Sequence, residues 1–271
     1  LDQLVNGSPL NLAKLIVGSE GTLATVTEAK LNLVPRPKTT ALMVVHFRGL
    51  IEAMEATVAT LEHGPAAVEL MGRLILEQMG ASVGYARRRT FLEGDPEAVL
   101  LVEAAGDTQP EVTAKLDEIE NSLRRGGMGY AYVKVTGADE QANVWEVRRA
   151  GIGLMMGVSG NSKPIPFIED CSVSTEKLPE YIRRVDELIR ANGTEAAYYG
   201  HASVGCIHVR PFINLKNQAD IDRMYNISRE ACNLVMEMGG AMSGEHGDGL
   251  VRSMWNEKVF GTTLYNAFRD V

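Results

Sequence analysis

Lysine and arginine are the minority charge in this chain: 27 of them face 35 aspartates and glutamates, for a formal net charge of −8 over 271 residues. A protein that neutralises a run of phosphates needs the opposite balance, clustered on one face, so no nucleic-acid partner is expected. A small anionic substrate would need a local cationic pocket. Cysteine is scarce as well. Cys171, Cys206 and Cys232 form no CxxC pair and are odd in number, which argues against a disulfide framework or a cysteine-built zinc site and makes a reducing compartment the default. No apolar run approaches the roughly 18 residues of a membrane span, and no charged-then-apolar signal opens the chain. Cytoplasmic residence is the expectation, with peripheral docking on a membrane surface compatible with it. Missing too are an initiator Met before Leu1 and a Gly or Asn stop after the helical pattern of residues 265–271, so both ends read as cut from a longer chain.

The remaining composition, 45% hydrophobic and 23% charged, is that of a globular protein with a real core. Residues 11–34 begin as a short helix, pass through Gly18-Ser19-Glu20-Gly21 and turn extended from Thr22 to Val34 on their Thr and Val content. Pro35-Arg36-Pro37 ends that stretch, because each proline removes a donor and biases its predecessor towards extended geometry. A domain boundary is placed there, dividing residues 1–38 from 39–271. Beyond it, residues 41–47 read as strand, 49–62 and 65–79 as helices, 98–105 as strand, 110–125 as helix and 130–136 as strand. A second round reads 167–173 as strand, 175–191 as helix, 196–201 and 206–213 as two strands, and 217–238 as a long helix. Two successive β-α-β units imply an α+β fold, an antiparallel sheet with helices on one face, as in paired ferredoxin-like units. Arg87-Arg88-Arg89 reads as a solvated loop.

The chain has 5 histidines, and His201, His208 and His246 fall in two Gly-rich polar segments near its end. In Gly200-His201-Ala202-Ser203-Val204-Gly205-Cys206-Ile207-His208, a turn between two strands can bring both imidazoles to one edge of the sheet. Ser243-Gly244-Glu245-His246-Gly247 sets a carboxylate beside a third imidazole where glycine permits close backbone approach. Two imidazoles and a carboxylate make a common shell for a divalent ion, zinc first, with manganese or iron as alternatives. His201, His208 and Glu245 are therefore the candidate ligands. His246 is left as a general base near neutral pH. The plain alternative makes all three histidines turn and core residues with ordinary hydrogen bonds. Arg210 follows His208 by two and shares its strand face, and Arg148 ends the Trp145-Glu146-Val147-Arg148 stretch; either guanidinium could grip a substrate carboxylate through two parallel hydrogen bonds. With both in the cavity, a dicarboxylate would be favoured over a monocarboxylate. Lys163 is a further candidate.

Val17-Gly18-Ser19-Glu20-Gly21-Thr22-Leu23, Thr27-Glu28-Ala29 and Val34-Pro35-Arg36-Pro37, followed by the two histidine segments, resemble the FAD-linked oxidases related to vanillyl-alcohol oxidase over essentially the whole chain. The resemblance implies that residues 1–38 are the remnant of a flavin-binding domain and that Gly18, Ser19, Glu20, Gly21 and Thr22 approach the FAD. It implies a D-2-hydroxy acid, of the hydroxyglutarate or lactate kind, oxidised to the 2-oxo acid by hydride transfer to the flavin. The metal would bind the hydroxyl and carboxylate oxygens, His246 would take the proton, and Arg148 falls in the stretch matching the family's carboxylate-binding arginine. Two departures stand out. The first flavin subdomain is missing and would have to come from the rest of the chain. Val204-Gly205-Cys206 replaces an Asp-Gly-Asn before the second histidine, with Arg210 in place of a smaller polar residue. That variant resembles the long members fused to an iron–sulfur domain that passes electrons onward. A flavin-free metal hydrolase, or a domain inert until the missing subdomain covers it, are the competing readings.

Overall fold

The computed structural model describes residues 11–19 and 21–270 and divides them into two units, Pro37–Trp255 on one side and residues 11–36 with those from Asn256 onward on the other. The division at the first boundary falls between Arg36 and Pro37; at the other end, residues from Asn256 are set apart from the rest of 39–271.

In the smaller unit, α1 (Leu12–Val17) opens on Asn11, whose side chain accepts from the Ala13 amide. Residues 22–34, expected to be extended, join no strand ladder among the described residues.

The larger unit alternates strands and helices: β1 (Thr39–Phe47), α2 (Leu50–Leu61), β2 (Ala67–Gly72), α3 (Arg73–Ala81), β3 (Ala98–Gly106), α4 (Gln109–Arg125), β4 (Ala131–Val135) and α5 (Ala138–Met156). Then follow β5 (Lys163–Pro164), α6 (Leu178–Ala191), β6 (Ala196–His201), β7 (Cys206–Ile213), α7 (Gln218–Glu237) and the short α8 (Gly249–Arg252), before α9 (Asn256–Asp270) of the smaller unit, which breaks at Gly261. The described strands form one sheet in the order β4-β1-β3-β2-β6-β7-β5, with every neighbouring pair antiparallel. The first four strands have the ferredoxin-like order, and β2 joins them to β6 of the second round. The α+β class and the antiparallel sheet are as expected, but helices cover both of its faces rather than one.

Helices α2, α4, α6 and α7 pack side by side as one layer. The other face is covered as well: Leu42, Val44, Val99, Leu101, Met71 and Tyr199 pack against Ile75, Leu76 and Met79 of α3 and Val144, Val147 and Met155 of α5. Residues Ala41 to Phe47 are accordingly buried throughout, and each such Val, Leu or Phe contributes about 1.5–3 kcal/mol by leaving water.

Two elements differ from the sequence expectation. Residues 65–79 are not one helix, because Ala67–Gly72 is strand β2 and only Arg73–Ala81 is helical. Leu70 and Met71 are good helix formers, but they sit between β3 and β6, and pairing on both edges overrides that local preference. Residues 167–173 make isolated bridges at Ser172 and no regular strand. Their backbone groups are spent elsewhere: the Glu169 carbonyl accepts from Val209 and the Asp170 carbonyl from Gly244, both at 2.8 Å.

The tight turn from β6 to β7 depends on glycine. Gly205 has φ +71°, and a Cβ there would collide with the Val173 carbonyl. Gly205→Ala should cost at least about 1–2 kcal/mol for the left-handed backbone alone, plus the collision. Gly127→Ala, at φ +68° with nothing within 4 Å, carries only the first cost. Urea unfolding of the two variants should therefore rank Gly205→Ala as the more destabilised; equal losses would show that the Val173 contact does not constrain the turn.

Candidate active site

Alternation along the strands puts the chemistry on one face. His208 and Arg210 project from β7 on the side of Tyr199 and Ala197, their cross-strand partners on β6, and His201 ends β6 two residues beyond Tyr199. The β2–β6 pairing of Leu70 with Gly200 brings the preceding Glu69 against His201, whose Nδ1 lies 2.7 Å from Glu69 Oε1.

The three imidazoles then share an arrangement. The Nε2 atoms of His201, His208 and His246 stand 3.6, 3.2 and 3.3 Å from one oxygen, Glu245 Oε1. Each Nδ1 faces a carboxylate on the other side: Glu69 for His201, and Glu169 at 3.8 Å from His208 and 3.7 Å from His246. The His208 and His246 rings are stacked at 5.3 Å, and His201 meets His208 edge-on at 5.4 Å. Burial first, then the neighbouring His201, His246 and Arg148, pushes the His208 pKa down to about 3, so its ring is neutral at pH 7. The hydrogen bond to Glu69 raises that of His201 against the opposing effect of burial.

The arginines are present but engaged. Arg148 Nε and Nη2 donate to Glu69 Oε2 at 3.0 and 2.7 Å. Arg210 donates to Glu169 Oε1 from Nε at 2.9 Å and from Nη2, and Tyr199 OH donates to the same oxygen at 2.9 Å. The two guanidinium carbons lie 5.2 and 5.8 Å from the centre of the Tyr199 ring. Lys163 is not drawn into this cluster: it stands on β5 opposite Ile213 and donates to the Val158 carbonyl. Of the flavin-facing segment, Gly18, Ser19, Gly21 and Thr22 form a turn after α1, with Ser19 Oγ donating to the Ile16 carbonyl at 2.8 Å and Thr22 Oγ1 to that of Ser19 at 2.6 Å. Glu20 lies outside the described residues.

Glu69, Glu169, Asp170 and Arg252 are site residues that the sequence expectation lacked. Asp170 is fully buried and holds the loop that carries Glu245 and His246: its Oδ2 accepts from Ser243 Oγ at 2.7 Å and from the amides of Glu245 and His246 at 3.0 and 2.8 Å. Its Oδ1 accepts from Arg252 of α8. The one signal in the sequence is two adjacent carboxylates in the otherwise apolar Phe167-Ile168-Glu169-Asp170-Cys171.

Comparison with known proteins shows the family. The family model of the FAD linked oxidases, C-terminal domain, matches residues 36–271, and the chain belongs to that family. It is 31% identical over 269 residues to the D-2-hydroxyglutarate dehydrogenase of Pseudomonas putida, covering 96% of this chain and 26% of that relative. With the D-lactate dehydrogenase of Archaeoglobus fulgidus it shares 29% over 256 residues, 94% of this chain and 53% of that one. The chain thus spans about a quarter of the length of the hydroxyglutarate dehydrogenases it matches. Among solved structures, p-cresol methylhydroxylase with substrate bound superposes with a TM-score of 0.58 at 13% identity, over 86% of this chain and 50% of that one, which shows a shared fold.

Although burial raises it, the His246 amide, the Arg252 guanidinium, the Glu245 amide and the Ser243 hydroxyl together hold the Asp170 carboxyl well below the usual carboxylate range. A depressed folded-state pKa gives stability that is present above the unfolded value near 3.9 and is lost as pH falls below it. Asp170→Asn should cost about 3–5 kcal/mol near pH 7, because Arg252 is left buried without its counter-charge. It should also flatten the acid limb of a stability-against-pH curve. A variant as acid-sensitive as the parent would remove Asp170 from this role.

Proposed function

We propose that this chain supplies the substrate- and metal-binding part of a flavin-dependent dehydrogenase that oxidises a D-2-hydroxy acid to the 2-oxo acid. The observation that carries the reading is the convergence of three imidazole Nε2 atoms on Glu245 Oε1. At His201, the Glu69 carboxylate 2.7 Å from Nδ1 keeps the proton on that nitrogen and leaves the Nε2 lone pair directed at the common point.

The donor set fits a divalent cation. His201, His208 and Glu245 offer one atom each, all within 4.8 Å of one another, and neutral imidazoles with a carboxylate suit zinc, manganese or iron. Glu169, His208 and His246 satisfy the same distance test, but Glu169 Oε1 already accepts from Arg210 and Tyr199, so the first set is the better ligand shell. A divalent ion held there supplies Lewis acidity that lowers the pKa of a substrate hydroxyl. FAD supplies the two-electron acceptor; the open backbone at Gly21, at φ +78° with nothing within 4 Å of where a Cβ would stand, fits a segment laid close against a cofactor.

The chain's own residues divide the remaining work. Arg148 keeps Nη1 for the substrate carboxylate while Glu69 holds its other edge. His246, whose side chain is 43% exposed against 37% for His201 and 5% for His208, is the most open of the three imidazoles and is free of the proposed ligand set; its Nε2 would accept the hydroxyl proton, and bound FAD would take the hydride from the carbon bearing that hydroxyl. Arg210 adds a second cation for the far end of a dicarboxylate.

Two experiments on the full-length protein test these roles. Anaerobic flavin bleaching against a panel of D-2-hydroxy acids should be slowed roughly 10²–10⁴-fold by His246→Ala with metal content retained, whereas His208→Ala should lose the metal. Unchanged bleaching with His246→Ala would end its role as base. For Arg210→Met, loss of a charge-assisted contact worth about 1.5–3 kcal/mol should lower kcat/KM for D-2-hydroxyglutarate roughly ten- to a hundredfold and spare D-lactate. An equal loss for both acids would assign Arg210 to holding Glu169 in place.

A further inference from the structure

Glu69 is in neither the proposed ligand set nor the proposed substrate contacts, yet its two carboxylate oxygens are divided between one group from each. Oε1 lies 2.7 Å from His201 Nδ1, and Oε2 accepts both from Arg148 Nε at 3.0 Å and from Nη2 at 2.7 Å. The side chains of Glu69 and Arg148 are 13% and 11% exposed, so the bridge is mostly shielded from water. The carboxylate comes from β2, while its partners come from β6 and α5; it therefore ties three elements together at the site.

We propose that Glu69 is a positioning residue that couples metal binding to substrate-carboxylate binding. One oxygen fixes the His201 tautomer, with the proton on Nδ1 and the Nε2 lone pair facing Glu245. The other fixes the Nε–Nη2 edge of Arg148, so the guanidinium meets a substrate carboxylate already oriented. The inference rests on the metal and 2-hydroxy-acid reading above.

The chemistry makes the role specific to a carboxylate. Glutamine has the same shape but one oxygen and one NH2 group. If its oxygen serves His201, the NH2 faces the N–H donors of Arg148. If the oxygen serves Arg148, the NH2 faces His201 Nδ1, draws the lone pair to that nitrogen and puts the proton on Nε2, where it blocks a metal. A carboxylate satisfies both partners, whereas an amide satisfies one.

The test uses the full-length protein, stripped of metal and titrated with zinc against a chromophoric chelator, with KM and kcat for D-2-hydroxyglutarate measured on zinc-saturated enzyme and melting temperature as the folding control. Zinc binding by the parent that is lost in His201→Ala establishes the site; its absence overturns the metal reading itself and this inference with it. Given a binding parent, Glu69→Gln should weaken zinc roughly 10–100-fold and raise KM. Arg148→Met should raise KM and leave zinc affinity within about threefold, by the independence expected of a residue that touches no ligand atom. Glu69→Gln combined with Arg148→Met should raise KM no further than Arg148→Met alone. Unchanged zinc affinity in Glu69→Gln, or KM effects that multiply in the double variant, would reduce Glu69 to a structural ion pair. Should Glu69→Gln fail to fold, Glu69→Asp, which keeps the charge but shortens the reach, goes through the same assays under the same criteria.

Discussion

The pairing of β2 with β6 is short, Leu70 opposite Gly200 and Met71 opposite Tyr199, and the candidate site depends on its register. It joins the ferredoxin-like first half to the second round, and one residue further along it sets Glu69 against His201. Because side chains alternate across a strand, a slip of one residue would send Glu69 to the opposite face and leave His201 without its Nδ1 partner. The pairing tolerates little change at Gly200, which has φ +142° and where a Cβ would stand 2.7 Å from the Cys206 carbonyl and 2.9 Å from the His208 amide. The glycine that lets β6 and β7 approach thus also stands opposite Leu70 of β2.

Charge is arranged with similar economy around the imidazoles. Arg148 is paired with Glu69, Arg210 with Glu169 and Arg252 with Asp170, each pair largely removed from water. Desolvation makes an isolated buried charge costly by several kcal/mol, so such pairing is what allows three guanidinium groups into the interior of an acidic protein. Glu245 is the carboxylate left over. Its neighbours are three imidazoles, and at 40% side-chain exposure it is far more open than Glu169 at 5%. An exposed carboxylate with three imidazole nitrogens around it offers a cation a set of donors at that point. The anticipated cationic pocket is therefore not made of free arginines, because Glu69 and Glu169 each hold part of Arg148 and Arg210.

The sequence carried the strands and the histidines for different reasons. Strands β6 and β7 were legible to the residue because Gly-rich turn chemistry bounds each apolar run, and α4 and α7 because an N-cap oxygen, Thr108 or Asn217, opens each of them. Strand β2 was hidden, since Leu70 and Met71 resemble a helix until a partner on each side is supplied, and with β2 went Glu69. The candidate ligands His201, His208 and Glu245 were visible because imidazoles are rare in this chain and sit among glycines. The carboxylates behind them were not, as a glutamate looks alike whether it is solvated or buried against an arginine. Only tertiary contacts distinguish Glu69 from the surface acids that outnumber it.

Glu169 and Asp170 show how adjacent residues acquire opposite duties. Ser172 pairs on one side with Cys206, at the start of β7, and on the other with Ala241, which precedes the histidine-bearing loop. The segment before Ser172 is therefore wedged between strand and loop. Residues 169 and 170 lie in a turn, and their side chains part: Glu169 reaches the β7 side, where it meets Arg210 and Tyr199 and faces His208 and His246. Asp170 turns the other way, to the amides of Glu245 and His246. The backbone here is irregular: the Glu169 carbonyl accepts from Val209 of β7, while the Asp170 carbonyl accepts from Gly244 of the histidine-bearing loop. One short segment thus reaches both halves of the site, Glu169 facing the rings and Asp170 holding the loop.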